Sequence, residues 1–182
     1  MERRSFEIQA DTNPLIIKGH AINFGEIARV GYFLEVIQSG ALDGIVFDSI
    51  PLLYNHSTEL LPLAKYPDTM TLEITSSGLD FLAVLPDTAT GNEVFEAVKR
   101  RDLCGVSFGF DVGTDYFDLN TNTRVITKIE HLYELSLTPF PVYLGSTVET
   151  RSRITAAKER AIAKKDARIL LNNILIRGGM ID

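Results

Sequence analysis

The chain has 182 residues, 45% of them hydrophobic and 23% charged, with a formal net charge of −6. That composition fits one soluble globular domain with a sizeable core and room for an appendage. It gives no reason to expect nucleic acid, and no apolar run approaches the roughly 18 residues needed to cross a bilayer.

Met1-Glu2-Arg3-Arg4-Ser5-Phe6-Glu7-Ile8 lacks the apolar stretch of a signal peptide, so the protein is expected to stay where it is made. Residues 1–150 read mainly as strands. Ser5–Gln9 alternates, and Leu15–Ile22 is rich in β-branched residues. A strand over Val30–Ile37 follows a glycine-bearing turn, and Ser39–Leu42 reads as a short turn of helix. Ile50–Tyr54, Thr69–Thr75 and Leu79–Leu85 continue the strand pattern. Asn92–Asp102 is a predicted helix, with Thr90, Gly91 or Asn92 as cap and Val94, Phe95 and Val98 on one face. Val106–Val112, Val125–Ile129 and Leu132–Thr138 complete the strands. Asp118–Thr123 is an Asn/Asp-rich turn between them. Short strands broken by Gly, Pro, Asp and Asn predict a mainly-β fold with peripheral helices, a barrel or a sandwich.

Beyond Pro141 the pattern changes. Arg151 to about Leu171 lacks Gly and Pro and reads as a helix. Residues 151–182 hold eight Lys/Arg and three Asp/Glu, a net of +5, which leaves residues 1–150 at −11. We therefore divide the chain into a domain over 1–150 and a basic helical tail over 151–182. The tail has no aromatic residue to stack on a base, so an acidic protein surface is its simpler partner.

Cys104 is the single cysteine and excludes an internal disulfide, which makes a reducing cytoplasm the simplest compartment. As a small hydrophobe it is a weak rival nucleophile. The three histidines, His20, His56 and His131, include no pair at a spacing such as H-x-x-x-H. Neither metal nor cofactor is expected, and His20 is assigned a structural role.

Three residue types that make a hydrolase site fall in three separate segments. His56 ends Leu52-Leu53-Tyr54-Asn55-His56, and Ser107 lies between Gly105 and Gly109. Glu134 lies in Leu132-Tyr133-Glu134-Leu135-Ser136-Leu137. Small residues beside Ser107 let a substrate backbone approach and leave amide groups for an oxyanion. Taken singly, each has an ordinary explanation: a rim histidine, a strand serine, a solvated carboxylate. Strand alternation puts His131, Tyr133, Leu135 and Leu137 on one, apolar face, and Glu130, Glu134 and Ser136 on the other.

The ordered set of segments resembles the prohead proteases of tailed bacteriophages, capsid maturation proteases related to herpesvirus assemblin. It runs from Glu2-Arg3-Arg4-Ser5-Phe6-Glu7 through Ile17–Phe24, Phe33–Leu42, Leu52–His56, Gly78–Phe81 and Leu85–Thr88. It continues to Val98–Phe110 and Glu134-Leu135-Ser136-Leu137-Thr138-Pro139, covering residues 2 to about 150. The chain departs from the family at Leu63-Ala64-Lys65, where a glycine is common, and at Pro139–Val142, where Pro-Ala is common.

The resemblance implies a closed or partly open assemblin-like β-barrel and a serine endopeptidase acting in the host cytoplasm inside the immature prohead. Its implied substrates are the scaffold, the delta segment of the major capsid protein, and itself. It implies Ser107 as nucleophile, His56 as general base and Glu134 as third member. His131 is a rival for that third place, as assemblin-like enzymes use a second histidine, and Glu130 is a further one. A homodimer is expected by the same analogy. Two alternatives are a non-catalytic assembly or scaffolding component that keeps the fold, and a β-barrel ligand-binding domain.

Overall fold

A computed structural model describes residues 9–12 and 15–139. The predicted tail helix and most of the strand predicted over Ser5–Gln9 lie outside them. The elements in chain order are β1 (Gln9–Thr12), β2 (Leu15–Asn23), β3 (Ile27–Val30), β4 (Phe33–Ile37), β5 (Pro51–Tyr54) and β6 (Ala64–Lys65). They continue with β7 (Met70–Ile74), β8 (Gly78–Val84), α1 (Ala89–Lys99), β9 (Gly105–Asp118) and β10 (Thr123–Thr138).

The mainly-β expectation holds, but the strands form two open sheets around one core, and neither closes into a barrel among the described residues. One sheet has the order β1-β2-β8-β7, antiparallel throughout. The other has six strands arranged around β10. Strand β9 runs antiparallel along one edge of β10 for its whole length. Strands β4 and β5 pair in parallel with opposite ends of the other edge, at residues 123–126 and 135–137. Ile17 and Ile22 of β2, Leu79 and Phe81 of β8, and Ile126, Leu135 and Leu137 of β10 join one buried cluster. Val94, Phe95 and Val98 of α1 enter the same cluster, as their helical spacing predicts.

Several boundaries differ from the sequence reading for identifiable reasons. The strand predicted over Val30–Ile37 is split by a Gly31-Tyr32 turn, with Val30 opposite Phe33. Residues 39–42 make successive hydrogen-bonded turns and no helix, because Gly40 and Gly44 adopt φ of 85° and 74°. Helix α1 starts earlier than predicted. Thr88 is its cap, accepting from the Gly91 N–H at 3.2 Å. The helix stops at Lys99, and Arg101 turns left-handed at φ 66°. The strands predicted over Val125–Ile129 and Leu132–Thr138 are one strand, because irregular pairing steps keep the ladder going where regular alternation fails.

The far end of the β9–β10 hairpin is held by charge. Arg124 is fully buried; its Nη1 donates to Glu35 Oε2 at 2.9 Å and its Nε to Asp115 Oδ2 at 2.7 Å. Burial pushes the Glu35 carboxyl above its usual range, against the pull of Arg124. The hairpin turn itself is local: Asp118 accepts from the Asn120 N–H and the Thr121 hydroxyl, both at 2.9 Å. Arg124→Ala strands two carboxylates in the interior. It should lower stability by about 3–5 kcal/mol, read as a fall in the urea midpoint at unchanged slope.

Candidate active site

Strands β5, β10 and β9 lie side by side, and one row across them reads Leu53, Ser136, Ser107. Residues directly opposite in an antiparallel pair share a face. Ser107 therefore stands on the face of Ser136, and Gly109, opposite Glu134, stands on that face as well. The spacing S-x-G on β9 meets E-x-S on β10 in reverse order.

His56 reaches this face by a tight reversal. Tyr54 ends β5, and the Ser57 N–H closes a turn onto the Tyr54 carbonyl at 3.0 Å. The two residues between, Asn55 and His56, adopt φ of 50° and 59°. Asn and His are among the residues that tolerate the left-handed region best. The Asn55 N–H donates to the Leu137 carbonyl at 2.9 Å, which anchors the turn to β10. The chain then carries the imidazole back along β10 toward Glu134.

His56 Nδ1 and Glu134 Oε1 are 2.8 Å apart. An ionised carboxylate only accepts, so Nδ1 is the donor, and in the neutral imidazole the lone pair stays on Nε2. The Glu134 hydrogen bond lifts the imidazole above its usual value, and partial burial opposes it. The other carboxylate oxygen, Oε2, accepts from Ser136 Oγ at 2.5 Å. The same Ser136 oxygen accepts from the His56 backbone N–H at 3.1 Å. Glu134 is largely covered, at 15% side-chain exposure, while His56 is open at 39%.

Ser107 is half-buried, and no hydrogen bond joins its hydroxyl to His56 among the described residues. The structure thus brings His56 and Glu134 into contact and sets Ser107 on the adjoining strand.

His131 and Glu130 are both exposed and make no hydrogen bond to His56. His131 stacks on Tyr133 instead, with ring centres 6.1 Å apart. The face assignment made for this strand needs correction. His131 and Tyr133 do not share a buried face with Leu135 and Leu137: Tyr133 is 54% exposed, and Leu132 is buried in its place. The pairing irregularity between Leu132 and Glu134 shifts the phase there. Ser136 and Thr138 are buried too, so both faces of the strand end are covered.

Two neighbours of the site have roles that the sequence does not announce. One is Ser136, visible only as the residue sharing Glu134's face. The other is Gly109: a Cβ there would lie 3.1 Å from Glu134 Oε1 and 3.3 Å from its Cγ. His20 pairs with Asp80 at 2.5 Å on the other sheet, away from these strands. Among the described residues no group of three or more His, Cys, Asp or Glu could hold a metal ion, and no helix is long and apolar enough to cross a membrane.

A histidine with a raised folded value adds stability that is complete below its unfolded value of about 6.5 and is lost as pH rises through the folded value. Glu134→Gln should therefore bring the His56 midpoint, followed by proton NMR, back down toward about 6.5. The stability gap between wild type and this variant should be widest on the acid side of that midpoint and shrink above it.

No curated protein and no solved structure matches the chain. The caudovirus prohead serine protease family matches residues 1–160. That span contains the whole of the arrangement just described, and the chain belongs to the caudovirus prohead serine protease family.

Proposed function

We propose that Ser107, His56 and Glu134 form the catalytic apparatus of a prohead serine endopeptidase. The observation that carries this is the His56–Glu134 bond, which fixes the neutral imidazole with its lone pair on Nε2, beside the strand pair that carries Ser107. His56 Nε2 takes the Ser107 proton as Oγ bonds to the scissile carbonyl carbon. The C–N bond then breaks, and the imidazolium returns the proton to the departing amine. Water, deprotonated by the same nitrogen, attacks the resulting ester, releases the acid fragment and restores Ser107. Glu134 keeps the imidazole in the required tautomer and offsets its charge while it is protonated.

Family membership supports the capsid protein and scaffold as substrates, within the immature prohead. It also supports activity at the serine over a purely structural role. Co-expression with the major capsid protein separates the two. Processing should occur with wild type and be lost with Ser107→Ala; a scaffolding component would leave the product pattern unchanged.

The charge asymmetry supports a second element of the reading: the basic tail over 151–182 guides the acidic protease domain into the prohead and is then cut off by the enzyme itself. Mass spectrometry of the purified protein should find the tail removed in wild type and retained in Ser107→Ala. An intact 182-residue wild-type chain, under conditions where a substrate is cut, counts against self-cleavage.

A further inference from the structure

We infer that Ser136 is a positioning residue of this site, tying the backbone of His56 to the far oxygen of Glu134 so that the imidazole is held at two points. The inference rests on the reading of His56 as base and Glu134 as its orienting carboxylate.

The hydrogen-bond inventory is the first support. A serine hydroxyl has one proton. The proton of Ser136 is committed to Glu134 Oε2, and its oxygen accepts from the His56 N–H. Glu134 Oε1 receives the imidazole. The four groups close a ring: His56 N–H to Ser136, Ser136 to Glu134, and Glu134 back to the ring of His56. Turning the imidazole away breaks one side of that ring, and moving the backbone of the turn breaks another.

Burial is the second support. Ser136 has 0% exposure, so no bulk water stands ready to replace its hydroxyl. The Leu137 carbonyl of β10 is already engaged, accepting from the Asn55 N–H. His56 holds a left-handed conformation that needs its surroundings to fix it, and the Ser136 oxygen supplies the contact for its amide. Gly109 completes the frame from β9, leaving the space that Glu134 fills.

A purely structural serine and a positioning serine make different predictions. The full-length protein is compared with Ser136→Ala and with Ser136→Cys, which preserves size but donates weakly. Two readouts are taken. The first is the proton NMR titration of His56, one of three histidines in the chain. The second is the rate at which diisopropyl fluorophosphate modifies Ser107 across pH, followed by intact mass. In that reaction the Ser107 oxygen bonds to phosphorus, fluoride leaves and His56 takes the proton.

Ser136→Ala should lower the His56 midpoint toward its ordinary value. It should also slow modification by about 10–100-fold on the high-pH plateau, as loss of an orienting partner does. Ser136→Cys should change both in the same direction by less, and it carries the test alone if the alanine variant does not fold. Folded variants with the wild-type midpoint and wild-type rate overturn the inference while leaving the protease reading intact. A wild type that is not modified at Ser107, with a midpoint that still falls in the variants, overturns the protease reading and leaves the positioning of His56 by Ser136 standing.

Discussion

The pairing of β10 is the constraint on which the rest of the structure depends. One edge of this 16-residue strand is taken by β9, and the two ends of the other edge by β4 and β5. A strand has only two edges, so every later feature is placed by where it meets this one. At one end a buried Arg124 binds carboxylates from β4 and β9. At the other, Ser136 and Glu134 meet residues from the end of β5 and from β9. At about 3.3 Å per residue, the ten residues from Arg124 to Glu134 put the two centres at most about 33 Å apart. Charge secures one end, and the site occupies the other.

The site uses sheet geometry sparingly. Only β10 contributes two polar side chains, two positions apart and therefore on one face. Strand β9 contributes a serine and a gap. The left-handed pair Asn55-His56 does what a regular strand would not: it reverses the chain so that the imidazole returns along the strand that β5 has just paired with. Local strain in the turn is thus matched by three hydrogen bonds to fixed partners, Tyr54, Leu137 and Ser136.

Much of this was legible in the sequence. The strands β2, β5, β7 and β8 follow period-two alternation or β-branched runs, and the Asp118–Thr123 turn is written in its Asn and Asp residues. The apolar face of α1 follows from its spacing. Its start did not, because Thr90 and Gly91 look like cap residues while lying inside the helix. The resemblance implies Glu134 as third member, and strand alternation sets its rival His131 on the apolar face. His131 is in fact at the surface, and a shift in pairing register removes the basis of that argument. Such irregularities depend on the partner strand, which no single segment records. The role of Ser136 is hidden for a related reason. One of its two hydrogen bonds reaches a residue 80 positions away, and a lone serine in a strand gives no sign of it.

The hairpin has a consequence for how the site comes together. Ser107, Gly109, Glu134 and Ser136 all belong to β9 and β10, which a short turn joins and which zip from a local contact. His56 lies 78 residues from Glu134 along the chain and arrives only when β5 docks in parallel. Closing a span of that length costs roughly 2–3 kcal/mol more chain entropy than closing the short hairpin turn. A chain with its hairpin formed and β5 undocked thus holds the proposed nucleophile and carboxylate without the base between them. The proposed triad is complete only when the fold is.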